Sequence, residues 1–278
     1  GIGAAAILAV LEDDTLRHGP LEALFTATEE TGMDGAFGLK GGLLKGDILL
    51  NLDSETEGEL YVGCAGGLDA NIVFDYAETA VPAGDRAALR IEIKGLKGGH
   101  SGIQIGTQRG NANRLLFRFL REAGKTRELL LASVDGGGLR NAIPREASAV
   151  VLVDRAEVAA VEAELAAYEK TLAVEFAGIE DSISAGAAAC DMPAGIIDPE
   201  VAGKLIRAVI GCPDGVQRMS VAMPGLVQTS TNLARVVSDG RTIRLQCLMR
   251  SSVNTEKAAL GEALSAVFEL AGARVELT

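Results

Sequence analysis

The sequence has no tryptophan and few aromatic residues of any kind. Aromatic side chains make up 4% of its 278 residues, whereas apolar residues make up 48%. The core must therefore be built mostly from Ala, Val, Leu and Ile. Charged residues make up 23%, an ordinary value for a globular protein, which argues against a disordered chain. The length suggests about two domains.

Positive charge is also scarce. The chain has 26 Lys and Arg against 38 Asp and Glu, a formal net charge of −12. Nucleic-acid binding needs basic patches, and anionic membrane surfaces also attract basic segments. No apolar run reaches the roughly 18 residues of a membrane span, and no basic signal-peptide segment opens the chain. We therefore expect a cytoplasmic protein with neither nucleic acid nor a membrane as partner.

Several sequence signatures of known chemistry are missing. The four cysteines contain no Cys-x-x-Cys pair, so we expect small core residues in a reducing compartment rather than a disulfide or a zinc cluster. There is no Gly-x-Ser-x-Gly elbow for a serine nucleophile. The Gly-rich stretch "GGHSGIQIGTQRG" lacks the Lys of a phosphate-binding loop.

The first part of the chain has the pattern of an α/β domain. Residues 4–13 predict a helix, and residues 34–44 predict a shorter one. Between and after them, the apolar runs at residues 21–28 and 46–55 predict buried strands of a partly parallel sheet. Functional groups gather past the carboxyl ends of such strands. We place this domain at residues 1–80, with a linker at 78–85.

The remainder, residues 81–278, predicts an α+β domain in which helices cover an antiparallel sheet. Leu89, Ile91 and Ile93 alternate as in a half-buried strand. Amphipathic helices follow, and the "SDGR" turn predicts a hairpin near the end of the chain.

Two adjacent glutamates, Glu29 and Glu30, follow the first predicted strand. Like charges side by side repel unless a cation or a proton offsets them. One glutamate could bind a divalent metal while its neighbour activates a metal-bound water, with Asp53 as a further ligand. Two metals would suit amide hydrolysis. Alternatively, the glutamates flank a helix start, where negative charge is favourable, and Asp53 is a solvated loop acid. The residue types alone leave both interpretations open.

Four further residues are candidates for binding or catalysis, and each has an ordinary structural alternative. His100 lies between glycines in "KGGHSG", which suits contact with a substrate, although a solvated loop histidine fits the same pattern. His18 precedes a Gly-Pro turn and is expected to be a surface residue. Arg250 ends an apolar strand, where it could bind a carboxylate or simply reach solvent. Asn141 and Asn232 could each satisfy a turn.

Several motifs together resemble one family closely. They are "FTATEETGMDGAFGL", "ILLNLDSETEGELYVGCAGG", "IKGLKGGHSG", "GNANRLLFRFL" and "LRNAIPREA". They are similar to the aminoacyl-histidine (Xaa-His) dipeptidases of the M20 family of di-zinc metallopeptidases, and the resemblance covers nearly the whole chain. It implies a partial α/β catalytic domain with an inserted α+β lid, or dimerisation, domain.

The resemblance also implies roles for the acids. Glu29 matches the general base that activates the metal-bridging water. Glu30 matches a ligand of one zinc, and Asp53 matches a ligand of the other. Two Zn²⁺ ions are expected in a complete site, although Mn²⁺ or Co²⁺ would suit such carboxylate ligands as well.

In the lid domain, the resemblance assigns His100 to stabilising the tetrahedral oxyanion, often in the active site of the partner subunit. Asn141, Asn232 and Arg250 match residues that hold the substrate, with Arg250 binding its C-terminal carboxylate. The expected partners are a small peptide substrate and a second copy of the chain, bound through the lid domain.

The chain also departs from the family pattern. The upstream His-x-Asp motif, the Asp that bridges the metals and a later metal-binding His are not in this sequence. We therefore expect an internal fragment that is inactive alone. The alternatives are a related amidohydrolase of N-acyl amino acids and a non-catalytic dimerisation or binding module.

Overall fold

The computed structural model describes residues 1–29, 33–53, 57–61 and 63–278. The chain forms two compact units, Gly1–Gly63 and Cys64–Thr278. The boundary lies earlier than the one expected between residues 80 and 81. The reason is that the strand Gly66–Asp75 forms hydrogen-bonded ladders with two strands near the end of the chain, and so belongs to the second unit.

The described residues of the first unit form two α-helices, α1 (Ile2–Glu12) and α2 (Asp34–Phe37). They confirm the predicted helix near the start and, in shorter form, the one predicted at residues 34–44. Neither helix buries a side chain completely.

The two strands predicted in this unit, at residues 21–28 and 46–55, are not present in its described residues. A strand needs a neighbour for its N–H and C=O groups, and no described segment of the first unit provides one. The side chains of Leu49 and Leu50 are each 77% exposed. The prediction of a parallel sheet here was therefore wrong, and Glu29 and Asp53 do not follow paired strands.

The second unit is the α+β structure that the sequence predicts. Its helices are α3 (Ala112–Ala123), α4 (Val158–Glu175), α5 (Pro199–Gly211) and α6 (Asn254–Leu270). Its strands are β1 (Gly66–Asp75), β2 (Glu78–Ala80), β3 (Arg86–Lys94), β4 (Gly99–His100), β5 (Leu130–Gly136), β6 (Ala142–Ile143), β7 (Ala147–Asp154), β8 (Ser184–Ala189), β9 (Gly195–Ile197), β10 (Gly215–Met219), β11 (Val227–Ser238), β12 (Thr242–Ser251) and β13 (Arg274–Leu277).

Nine of these strands form one sheet in the order β13-β1-β12-β11-β5-β7-β3-β8, with β10 beside β11. The order shows two lobes of the same β-α-β-β-α-β connectivity. The first lobe consists of β3, α3, β5, β7, α4 and β8. The second lobe consists of β1, α5, β11, β12, α6 and β13, so that the first lobe is inserted between its β1 and α5. Strands β5 and β11 pair antiparallel and join the lobes.

The helices contact one another in the order α4-α3-α5-α6 and so form a single layer on the sheet. Local sequence explains where α3 and α5 begin. The side chain of Asn111 caps α3, and Asp198 caps α5, which has Pro199 in its first turn. One continuous apolar core lies beneath the helices of both lobes, and includes an edge-to-face contact of Phe74 with Phe268 at 6.2 Å.

Two short ladders lie beside the large sheet. Strand β2 pairs with β9, where the sequence suggested only a linker at residues 78–85, and β4 pairs with β6. Every ladder among the described residues is antiparallel. Within the described ranges, no helix is both long and apolar enough to cross a bilayer.

Candidate functional site

The turn before the glutamate pair has a strained backbone. Thr28 has a φ of +59°, which is unfavourable for a β-branched residue. Its hydroxyl group donates to the carbonyl oxygen of Ala27 at 2.7 Å and accepts from the N–H of Asp34 at 3.1 Å. Glu29, the residue after Thr28, is exposed.

The acids predicted to bind metal do not form a metal centre in the described part of the chain. Asp53 is exposed, its N–H donates to the side chain of Asn51, and Glu30 lies outside the described residues. Across the described ranges, no three His, Cys, Asp or Glu side chains lie together as metal ligands. A catalytic zinc takes three protein ligands. The carboxylates of Glu29 and Asp53 are suitable metal ligands, but two are fewer than a catalytic zinc needs. Their roles therefore stay predictions.

His100 is fixed by backbone pairing on both sides. It pairs with Ala142 in the β4–β6 ladder, and the N–H of Ser101 donates to the carbonyl oxygen of Asn141 at 2.8 Å. The N–H of His100 donates to Oε1 of Gln104 at 2.6 Å. The backbone of His100 is therefore held against the segment that carries Asn141.

The hydrogen bonds of the His100 ring determine which nitrogen carries its proton. Nδ1 accepts from the N–H groups of Gly102, at 3.2 Å, and Ile103, at 3.1 Å. An accepting Nδ1 has no proton, so the neutral ring is protonated on Nε2. Burial, and then the positive charge of Arg250, lower the pKa of His100 below its usual value of 6.5. The ring is thus held neutral, with Nε2–H available as a donor.

Arg250 lies next to His100, on the other side of Gly102. A Cβ atom placed on Gly102 would be 3.0 Å from Cε1 of His100 and 3.1 Å from Nε of Arg250. The glycine therefore leaves the space in which the two side chains meet. They are 150 positions apart in sequence, Arg250 on β12 and His100 in the loop that follows β3.

The guanidinium group of Arg250 is partly unsatisfied. Its Nε is buried and has no hydrogen-bond partner among the described residues. Burial, followed by the charge of nearby Arg140, lowers the pKa of Arg250, and Asp69 opposes this effect. Asp69 itself forms an ion pair with Arg140. A buried cation with an unused donor favours an anionic ligand, and a carboxylate matches its geometry.

The two asparagines differ in their surroundings. Asn141 is exposed on the turn beside His100. Asn232 is 1% exposed, and its Nδ2 donates to the carbonyl oxygen of Ala142 at 2.8 Å, while its Oδ1 accepts from Nδ2 of Asn111 at 3.4 Å. Asn232 thus ties β11 to the segment paired with His100. Neither substrate-binding role is tested by these contacts.

Sequence reasoning missed two acids around this cluster. The Asp214 carboxylate accepts from the N–H of Leu233 at 2.7 Å and from Nδ2 of Asn111 at 3.1 Å. Burial raises its pKa from 3.8 to about 6. Glu180 is 9% exposed and accepts backbone hydrogen bonds near His100. Neither acid has a neighbouring motif in the sequence that could have pointed to it.

Comparison with known proteins identifies the first lobe. The profile of the M20 family described as the peptidase dimerisation domain matches residues 91–180, which lie within that lobe. Residues 91–180 are thus similar to an M20 dimerisation domain. The resemblance to M20 peptidases that the motifs predict is thereby confirmed.

Two relatives extend the match over the M20 dimerisation domain and beyond it. The chain is 42% identical to the cytosol non-specific dipeptidase of Escherichia coli K12, over 99% of its own length and 57% of that protein. It matches the crystal structure of the aminoacylhistidine dipeptidase from Vibrio alginolyticus with 43% identity and a TM-score of 0.85. That match covers 100% of this chain and 56% of the other. The chain thus spans little more than half the length of either relative.

Proposed function

We propose that the chain takes part in the metal-dependent hydrolysis of dipeptides, and that its second unit binds and orients the substrate. One arrangement carries the proposal: a neutral His100 with a free Nε2–H donor beside Arg250, whose buried Nε has no partner. The relatives that are dipeptidases by name support the same reaction class.

The two side chains would act on different parts of a dipeptide. Attack of water on a peptide carbonyl places negative charge on its oxygen, and a preorganised neutral N–H donor stabilises that charge. His100 fits this role because its Nδ1 is already occupied by two N–H groups. The guanidinium of Arg250 would bind the C-terminal carboxylate, and this ion pair would orient the peptide relative to His100.

For the metal we propose zinc, with Glu30 and Asp53 as ligands and Glu29 as general base. This part of the proposal rests on the motif resemblance, since the described residues supply too few ligands. The test is metal content, measured by mass spectrometry on the protein that carries this chain. About two zinc ions per chain are expected. Zinc binding unaffected by exchange of both Glu30 and Asp53 for Ala would contradict these ligand assignments.

For the substrate we propose Xaa-His dipeptides, as the name of the Vibrio relative suggests. The name of the Escherichia coli relative favours a broader dipeptidase as the second candidate. Two dipeptides with the same first residue, one ending in His and one in Ala, distinguish them by their kcat/KM values. A ratio near one would favour the broader activity.

We also propose that the protein works in the cytoplasm as a homodimer formed through the lid. The cytosol relative and the dimerisation domain support this. The edge of β5 is already paired with β11, whereas the sheet order ends with β8 and β13. A dimer formed by sheet extension would therefore use β8 or β13. The mass in solution, measured by light scattering, tests it, and a monomer would contradict it.

The site itself is tested by steady-state kinetics. Arg250→Lys should raise KM about 10-fold or more, because the bidentate geometry is lost. Arg244→Lys on the same strand is the matched control, since Arg244 is exposed and pairs with the turn residue Asp239. His100→Gln should lower kcat by about 100-fold. Unchanged kinetics in both site variants would favour the non-catalytic binding module instead.

A further inference from the structure

We propose that Glu180 is a positioning residue for His100. It holds together the two ends of the segment that carries His100, residues 97–110, here called the His100 loop. The proposal relies on the proposed function only for the importance of His100. The contacts of Glu180 themselves stand independently of any activity.

One carboxylate bonds both ends of the His100 loop. Oε2 of Glu180 accepts from the N–H of Lys97 at 2.7 Å, and Oε1 accepts from the N–H of Gly110 at 3.0 Å. These are the first and last residues of the loop. Glu180 is 9% exposed, its bond to Gly110 is buried and its bond to Lys97 is partly buried. A single substitution at Glu180 would therefore release both ends at once.

The base of the loop is also closely packed. A Cβ atom on Gly110 would lie 2.5 Å from Cδ2 of Leu96, so the two ends of the loop are in contact. Gly95, with a φ of +81°, is so close to Ser182 that a Cβ atom there would lie 2.0 Å from its carbonyl oxygen. Only glycine fits at position 95, and the segment that contains Glu180 is thus packed directly against the base of the loop.

The charge of Glu180 is balanced by the loop backbone rather than by a cation. The ammonium group of Lys97 pairs with the next residue, Asp181, at 2.8 Å. Hydrogen bonds from N–H groups to a carboxylate are stronger than those between neutral groups. Removing the carboxylate would leave two N–H groups without acceptors, which is costly when they are shielded from water. The ends of the loop would then separate to reach water.

Separation at the base would change the surroundings of His100 at the tip. The ring is partly buried and faces Arg250 of β12, and Arg109 crosses the loop to donate to the carbonyl oxygen of Gly98. The positive charge of Arg250 disfavours the imidazolium form. A looser loop would give the ring more solvent and move it away from Arg250, so the pKa of His100 would rise.

The test uses the chain itself, which has two histidines. Its spectrum in a ¹H–¹³C correlation experiment should contain two imidazole Cε1–H signals, and His18→Gln assigns the remaining one to His100. In Glu180→Ala, the pKa of His100 should rise toward the ordinary value of about 6.5. Glu180→Gln keeps one acceptor oxygen and should give a smaller rise. The matched control is Glu169→Gln, whose carboxylate accepts from the N–H of Ala185 in β8 at 2.8 Å.

Three results would overturn the proposal. One is a pKa and chemical shift of His100 that stay at the wild-type values in both Glu180 variants. Another is an equal change in Glu169→Gln, which would show a general loss of stability instead of a local effect. A third is a change in Glu180→Gln as large as that in Glu180→Ala. If Glu180→Ala does not fold, the comparison of Glu180→Gln with Glu169→Gln still tests whether Glu180 positions His100. Titration needs no substrate, so its outcome is separate from that of the kinetic tests above.

Discussion

The two lobes of the second unit share one connectivity but supply different parts of the candidate site. The first lobe contributes His100 from a long loop between its first strand and its first helix. The second lobe contributes Arg250 and Asn232 from central strands. The corresponding middle strands of the first lobe, β5 and β7, carry no candidate residue. Repetition of the fold has therefore not repeated the site, which lies where the lobes meet.

The two lobes also hold their candidate side chains in different ways. Strands β11 and β12 are hydrogen-bonded on both sides, so residues on them are positioned by the sheet. The loop of the first lobe has no such support and depends on the β4–β6 ladder, on Gln104 and on Glu180. The loop can approach the second lobe closely. Because it is not part of the large sheet, its position depends on these additional contacts.

The largest effect should come from a change at the junction of the lobes. A Cβ atom on Gly137, which has a φ of +75°, would lie 1.8 Å from the carbonyl oxygen of Ala234 in β11. Gly137→Ala should therefore lower the free energy of unfolding by about 4 kcal/mol, from clash and backbone strain together. Urea denaturation would measure it.

Gly178→Ala is the matched control for the junction. Gly178 has a φ of +78° but no atom within 4 Å of an added Cβ. Its cost should be about 1 kcal/mol, from the backbone alone. Equal costs at the two glycines would mean that the lobes are not packed at Gly137 as the structure shows.

The next largest effect tests whether the lobes unfold together. Leu165 of the first lobe and Leu264 of the second lie in the same continuous core and are almost fully buried. Each change to Ala should cost about 3 kcal/mol. Because the core is shared, either change should shift one common transition, followed by circular dichroism. Two transitions, of which only one moves, would show that the lobes are independent domains.

A smaller effect depends on pH. Burial raises the pKa of Asp214 to about 6, above its ordinary value of 3.8. The folded state thus prefers the protonated carboxyl group, and this contribution is complete below about pH 4 and is lost as the pH rises through 6. Asp214→Asn should therefore gain about 1–2 kcal/mol relative to wild type between pH 4 and pH 8.

Denaturation at both pH values measures the effect of Asp214→Asn. The second-lobe residue Asp214 bonds to Asn111, which caps the first helix of the other lobe. A difference between variant and wild type that is the same at pH 4 and pH 8 would argue against a raised pKa.

The smallest effect on stability is expected at the point where the site residues meet. Gly102→Ala would place a methyl group against His100 and Arg250, at a cost of less than about 1 kcal/mol, since the two side chains have to move by only a few tenths of an ångström. Separating the ring from the guanidinium should raise the pKa of His100, as measured by NMR titration. Gly138→Ala, with nothing within 4 Å, should leave that pKa unchanged.

Much of the second unit could be predicted from local sequence because its signals are local. The alternation of Leu89, Ile91 and Ile93 corresponds to buried positions of β3. The turn of the last hairpin is closed by Asp239, which accepts from the N–H groups of Arg241 and Thr242. The apolar runs of the first unit gave no such information, because apolar residues alone do not show whether a partner strand exists.

The meeting of His100 with Arg250 could not be derived from the sequence pattern. Their proximity depends on the order of strands across two lobes, which no local motif encodes. Glu180 and Asp214 were missed for a different reason, since a single acid is usually a surface residue. What distinguishes them is burial together with backbone N–H donors, and both are properties of the folded chain.

The insertion of the first lobe also has a kinetic consequence. Strand β1 pairs with β12, so that Ala70 lies opposite Cys247, whereas the strands of the first lobe find their partners within residues 86–189. Closing a long loop costs entropy before its contacts form, so distant pairs assemble slowly. During synthesis, the first lobe can fold before β12, the strand that pairs with β1, has been made. The short β2–β9 ladder then brings together the two ends of the inserted lobe. The loop that must be closed when β1 pairs with β12 is thereby shortened.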